Sequence, residues 1–402
     1  NKYQYLEKQE RAFLTRLAEG TIEHMLEMDF IINSFSKVKV KKMKPLIRNL
    51  LRMSVYQLKY MDAIPDAAVC NEAVKLAKKR GFGQLRGFVN GVLRNIAREL
   101  DKLRYPDEKL EPVRFLEVMY SVPAWMAEQW IKDYGYEKAK AICASFLTER
   151  PITIRTNLLR IQPEELKLRL EAEGVTVKEV PELSYAFEIS GFDYLQSLDS
   201  FVEGLFYVQD ISSMMVAETA APQKGAYIID VCAAPGGKST HLAEKLDGTG
   251  MVEARDLTEY KVSLIEENIE RHGLSNIKAV QMDATVLDEH SVGKADVLIC
   301  DLPCSGLGVM GKKTDIRYKM TPEKQKDLAV LQREILSVVH TYVKPGGTLI
   351  YSTCTIHKGE NEENVDWFVK QHPEFTLVSK EQMFPGGAYH DGFFIAKLLR
   401  ER

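Results

Sequence analysis

The sequence predicts a multidomain chain: an all-α bundle, then a small α+β module, then an α/β domain on a doubly wound, Rossmann-like sheet. Three observations carry this reading. The first hundred residues keep a helical apolar period, residues 112 to 203 mix short helical and strand-like stretches, and strands and helices alternate regularly from Gly204 to the end. At 402 residues with 45% hydrophobic side chains, the chain can build two or three ordinary cores.

In the bundle, Leu85, Phe88, Val89, Val92, Leu93 and Ile96 recur at helical spacing, as do Ile47, Leu50, Leu51, Val55 and Leu58. Both stripes are core faces. Pro45 suits a first helical turn, Asp66 an N-cap, and Gly81 a stop. The formal net charge of -3 conceals an asymmetry: residues 1 to 110 carry 22 Lys+Arg against 13 Asp+Glu, so the remainder is strongly acidic. Between Phe30 and Met61 there is no acid, while Lys37, Lys39, Lys41, Lys42, Lys44, Arg48, Arg52 and Lys59 are basic. That balance points to a polyanion partner, RNA in particular.

A polar stretch from Leu103 to Glu111 reads as a linker, dividing residues 1–103 from a module at 112–203. Helices are expected at Pro123 to Lys132, Glu137 to Thr148 and Pro163 to Glu173. PITIRTN, VTVKEV and YAFEIS read as strands. On the first of these, Arg155 and Asn157 share a face, either to touch phosphate and ribose or as the polar side of an edge strand.

In the third domain, 204–402, strands are expected at Tyr227 to Val231, Met251 to Arg255, Ile277 to Gln281, Ala295 to Cys300, Thr348 to Ser352 and Gly392 to Leu398. The first breaks into the small-residue turn of YIIDVCAAPGGK, residues 227 to 238. A P-loop would need Gly where Cys232 stands, and a dinucleotide fingerprint would need three spaced glycines. What remains is a nucleoside-binding turn without a phosphate cradle, which suits S-adenosylmethionine. Successive strands end in Asp230, Asp256, Asp283 and Asp301 around one crevice, where Asp256 can accept from ribose hydroxyls and Asp283 from an adenine amino group.

Two thiols, Cys304 after the fourth strand and Cys354 after the fifth, are expected at that crevice. Their chemistry suits carbon 5 of cytosine: a thiolate adding to carbon 6 makes carbon 5 nucleophilic, and a second group nearby assists the later elimination. Cys70, Cys143, Cys232 and Cys300 read as small hydrophobes. No cysteine pair has metal-ligand or redox spacing, so no metal is expected. The loop after Cys304, with Lys312, Lys313, Arg317 and Lys319, is either a clamp on the RNA backbone or a solvated loop. No apolar run approaches the ~18 to 20 residues of a membrane span and no signal peptide is read, so a cytoplasmic monomer with free thiols is expected.

RAFLTRLAEGTIE, LIRNLLRMSVYQLKYM, IPDAAVCNEAVKLAKK and GFVNGVLRN resemble the NusB-like RNA-binding domain. DVCAAPGGKSTHLAEKL, AVQMDAT, LICDLPCSGLGVMGKKTDIRYK, YSTCTIHKGENEENVDWF and DGFFIAKLL resemble the RNA 5-methylcytosine methyltransferases. Together the chain resembles the bacterial RsmB (Sun or Fmu) family. The resemblance implies methylation of one cytosine in 16S ribosomal RNA, with Cys354 as nucleophile and Cys304 aiding release. It also implies that Cys232, Ala233, Ala234, Pro235, Gly236, Gly237 and Lys238, with Asp256, Asp283 and Asp301, hold the cofactor, and that the middle module is ferredoxin-like. Arg255 departs from the family pattern, which has a small or neutral residue before Asp256.

Overall fold

The computed structural model describes residues 5–148, 151–387 and 391–401. It divides into two compact units, Asn1–Thr148 with Gly311–Lys319, and Glu149–Met310 with Met320–Arg402.

The first unit is helical: α1 (Lys8–Glu23), α2 (Met25–Phe35), α3 (Pro45–Tyr60), α4 (Asp66–Lys79), α5 (Arg86–Glu99), α6 (Pro112–Tyr120), α7 (Ala124–Tyr134) and α8 (Tyr136–Ser145). Pro45 and Pro112 open their helices, where a missing N–H costs nothing. Asp66 is the first helical residue rather than the N-cap, a position held by Pro65, so it acts through its charge at the positive helix end. The expected stripes meet in one core, where Ile47, Leu51, Val55, Val89, Leu93 and Ile96 pack with Met28, Ile31 and Ile32. Each such side chain contributes roughly 1.5–3 kcal/mol by leaving water.

Not all of the acid-free stretch is available to a polyanion. Lys37, Lys39, Lys41, Lys42 and Lys44 stand exposed. Arg52 pairs with Asp29 at 2.6 Å, and Lys59 pairs with buried Glu27 at 2.7 Å. Burial pushes the Glu27 pKa up, but hydrogen bonds from His24, Lys59 and Tyr60 outweigh it and hold the carboxyl below its usual range.

The second unit holds two sheets. In the smaller, β1 (Ile152–Thr156), α9 (Pro163–Ala172), β2 (Thr176–Glu179), β3 (Ala186–Ser190), α10 (Asp199–Val202) and β4 (Phe206–Val208) form a βαββαβ module with strand order β2-β3-β1-β4. This is the ferredoxin-like arrangement expected. Because β1 is an inner strand, the reading of Arg155 and Asn157 as RNA contacts or an edge-strand face is corrected. Both are 1% exposed. Arg155 donates to Glu244 at 2.9 Å and to the Gly237 carbonyl at 2.9 Å, and Asn157 to the carbonyls of Gly204 and His272 at 3.0 and 3.1 Å.

The larger sheet follows α11 (Ile211–Ala220) and comprises β5 (Tyr227–Asp230), α12 (Gly237–Lys245), β6 (Met251–Asp256), α13 (Glu259–His272), β7 (Ile277–Gln281) and β8 (Ala295–Asp301). The chain then lends Gly311–Lys319, with α14 (Ile316–Lys319), to the helical unit. It returns as α15 (Pro322–Val339), β9 (Val343–Thr353), α16 (Glu362–Gln371), β10 (Phe375–Met383) and β11 (Phe393–Arg400). The order is β10-β11-β9-β8-β5-β6-β7, with β11 alone running against the others. Apolar residues of β5, β8 and β9 fill both faces, as a sheet covered by helices on both sides requires.

The four-cation reading of the loop after Cys304 is also corrected. Arg317 is fully buried and donates to the carbonyls of Glu23, Tyr120 and Ser121 within the helical unit. Lys319 pairs with Asp315 at 2.5 Å, while Lys312 and Lys313 are exposed.

Candidate active site

Strand order reverses between β5 and β8, and in such sheets the ligand crevice opens at the carboxyl ends of the strands flanking that point. The turn Cys232–Lys238 leaves β5 there. Gly236 has φ +107°, a conformation only glycine adopts without strain, and it lets α12 begin at Gly237. Ala233 donates to the Arg255 carbonyl at 2.8 Å and Ala234 to the Asp256 carboxylate at 3.0 Å, tying the turn to β6. Pro235 is exposed at its tip, and Cys232 packs against the core, where burial pushes its thiol pKa well up. Cys232 therefore contributes backbone to the turn, not a reactive sulfur.

Lys238, in the first turn of α12, reaches Asp301 at the end of β8, Nζ to Oδ2 2.7 Å. Ser352 donates to the other Asp301 oxygen at 2.8 Å. Burial pulls the Lys238 pKa down, but Asp301, seconded by Cys354, outweighs it and holds the ammonium above its usual value. Asp256 is buried and also accepts from the Leu257 amide at 2.7 Å and Lys261 at 2.9 Å. Asp283 is exposed, with the amide and hydroxyl of Thr285 both on Oδ1. Arg255 points away from this group: it is buried and pairs with Glu253 at 2.5 Å and Asp288 at 3.2 Å. Its departure from the family pattern is thus answered by local acids.

Cys304 and Cys354 come together, Sγ to Sγ 3.3 Å. The hydrogen bond to Cys354, and burial after it, push the Cys304 thiol well above its usual pKa. Either sulfur can be the donor of this contact. The residues following the two cysteines make the same connection: Ser305 Oγ lies 2.8 Å from Thr355 Oγ1. Beneath them Glu360 is fully buried, accepting from the Ser305 amide at 2.8 Å, the Ser305 hydroxyl at 2.5 Å and Gln332 at 3.1 Å, with His357 Nδ1 at 3.1 Å. Gln332 also donates to the Pro303 carbonyl at 2.8 Å. Asn361 accepts from Thr353 and donates to the Thr355 carbonyl at 3.0 Å. Gly308 donates to the Cys354 carbonyl at 3.0 Å, and a Cβ on Gly308 would collide with the Gly392 carbonyl. Sequence reasoning missed Ser305, Thr355, Gln332, Glu360 and Asn361; the adjacency of Ser305 and Thr355 to the thiols was the available signal.

The donor set fits an aminoacyl nucleoside carrying a positive charge. The crevice offers carboxylates at Asp256, Asp283 and Asp301. Asp230 is fully buried and accepts from Ser239 at 2.6 Å, and its Oδ1 makes no well-formed hydrogen bond among the described residues.

Residues 217–399 match the family model for 16S rRNA methyltransferase RsmB/F, residues 1–98 the NusB family, and residues 122–192 the RsmF/B-like ferredoxin-like domain. A probable ribosomal RNA small subunit methyltransferase B of Bacillus subtilis is 38% identical, covering 94% of this chain and 85% of that protein. The crystal structure of PH0851 is 28% identical with TM-score 0.85, covering 100% of this chain and 92% of that one. NSun6 from Pyrococcus horikoshii with SFG is 25% identical with TM-score 0.62, covering 69% and 97%. Among the described residues no helix is long and apolar enough to cross a membrane. The family resemblance read from the motifs and the three fold classes are thereby borne out, and the chain belongs to the RsmB/F family of S-adenosylmethionine-dependent ribosomal RNA small subunit methyltransferases.

Proposed function

We propose that this enzyme methylates carbon 5 of one cytosine in 16S ribosomal RNA through a covalent adduct between Cys354 and carbon 6. The observation that carries the proposal is the 3.3 Å approach of Cys304 and Cys354 beside the Lys238–Asp301 pair. S-adenosylmethionine, held by the Cys232–Lys238 turn with Asp256, Asp283 and Asp301, supplies the methyl group. Lys238 and the Cys304 S–H both favour the thiolate of Cys354, which is the nucleophilic form. Asp301, oriented by Lys238 and Ser352, is placed to bond the cytosine ring.

Cys304 then acts in release. Once Cys354 is bound to carbon 6, the main cause of the raised Cys304 pKa is gone, and Cys304 can lose its proton to solvent. As a thiolate it takes the proton from carbon 5, the electrons of that C–H bond restore the 5,6 double bond, and the Cys354 thiolate leaves. The NusB-like residues 1–103, with exposed Lys37, Lys39, Lys41, Lys42 and Lys44, and the module 112–203 would bind the RNA around the target.

The test is incorporation of labelled methyl from S-adenosylmethionine into unmethylated 16S RNA, with the product nucleoside identified after digestion. Recovery of 5-methylcytidine is expected. Label on an exocyclic amine, or on ribose, would overturn the proposal.

A further inference from the structure

At the other end of β9 from Cys354, three side chains with metal-binding atoms converge. His340 caps the C-terminus of α15, His372 caps the C-terminus of α16, and Glu374 immediately precedes β10. Their ligand atoms all lie within 4.8 Å of one another. His340 Nε2 is 4.0 Å and His372 Nδ1 3.6 Å from the same Glu374 oxygen, and the two imidazole centroids are 3.9 Å apart. We propose that His340, His372 and Glu374 bind a first-row divalent cation, zinc by the character of the donors, with a water in the fourth position.

Two features support the assignment. His340 Nδ1 lies 2.9 Å from the Leu336 carbonyl, which can only accept, so Nδ1 carries the proton. The bare lone pair of neutral His340 is therefore on Nε2, facing Glu374, an arrangement of two acceptors that calls for a cation between them. A backbone carbonyl fixing the far nitrogen is also the usual support of a metal-bound histidine. Next, two helix C-termini meet at the site, and their dipoles favour positive charge.

Ligands about 2.0–2.1 Å from a tetrahedral zinc stand roughly 3.3 Å apart, so metal binding would draw in atoms that now stand 3.6 and 4.0 Å from the Glu374 oxygen and within 4.8 Å of one another. The rings are held in place by aromatic walls: Phe368 lies 4.6 Å from His372, and Phe375 6.2 Å from His340, between centroids. Arg400, the nearby cation, is turned onto the Val343 carbonyl. Bound metal would staple the edge strand β10 to both helices.

The full-length protein, stripped with a chelator, is to be titrated with zinc chloride by calorimetry and with cobalt chloride by visible absorption. One equivalent is expected, with a rise in Tm and cobalt bands of nitrogen and oxygen ligation. The Cys304→Ser/Cys354→Ser variant should bind equally well. His372→Gln and Glu374→Gln should each weaken binding tenfold or more while circular dichroism reports a folded chain. Absence of stoichiometric binding would overturn the proposal, as would binding that survives His340→Gln/His372→Gln but disappears with the cysteine variant.

Discussion

The hydroxyls of Ser305 and Thr355 are 2.8 Å apart, and each belongs to the residue that follows one of the two facing thiols. Two loops from different strands are thus pinned to each other one residue away from the two sulfurs proposed to react, with Glu360 as the buried acceptor beneath. Glu360→Gln keeps the shape but gives the two Ser305 donors a poorer acceptor. A misplacement of about 1 Å at a reacting group costs on the order of 100-fold in rate. Single-turnover methyl transfer by this variant should therefore fall by roughly 10- to 100-fold, with the calorimetric affinity for S-adenosylmethionine unchanged. Equal loss of both would mean that Glu360 supports only the fold.

The two cysteines should fail differently. Cys354→Ala is expected to abolish methyl transfer, because it removes the sulfur proposed to add to carbon 6. Cys304→Ala should still form the adduct and then stall, giving a denaturation-resistant protein–RNA band on a gel. If Cys304→Ala turns over normally, its assigned part in release is wrong.

Asp230 gives a pH signature. Burial raises its pKa from 3.8 to about 7. An acid whose folded value lies above its unfolded value binds its proton more tightly when folded. The protein without cofactor should therefore lose stability as pH rises from about 4 through 7, by on the order of 4 kcal/mol in all. Asp230→Asn should remove that slope in urea unfolding, matching the parent near pH 4 and exceeding it above pH 7, while binding S-adenosylmethionine more weakly. Parallel pH profiles for the two proteins would refute this account.

Arg155 and Glu244, both almost fully buried, form the ion pair between β1 and α12. Burial pushes Glu244 up against the opposing pull of Arg155. Arg155→Ala leaves that carboxylate without its partner and should cost about 3–5 kcal/mol in chemical denaturation. Arg155→Met with Glu244→Leu should recover most of the loss.

Much of this was legible because the chemistry is carried by short contiguous runs. A strand ending in an acid can be seen at Asp230, Asp256 and Asp301; Cys304 follows the last of these, and Cys354 directly follows β9, which ends in Thr353. β10 could not be read, since FTLVSKEQM is a mostly exposed edge strand with no apolar alternation. Arg155 and Arg317 misled for a common reason: charged residues in a surface-like pattern proved to be internal fasteners, satisfied by carbonyls and acids distant in sequence. Glu360, inside the charged run HKGENEE, gives no sign of burial, because donors that satisfy it come from Ser305 and Gln332, distant in sequence.

The excursion of Gly311–Lys319 makes the helical unit discontinuous in the gene. A cut after Thr148 would separate the bundle from the turn that carries Arg317, leaving the carbonyls of Glu23, Tyr120 and Ser121 without their donor and, on the other fragment, a guanidinium built for the interior facing water. The NusB-like region is therefore not a removable attachment: grafting it elsewhere would require carrying along nine residues encoded far downstream, in the loop after Cys304.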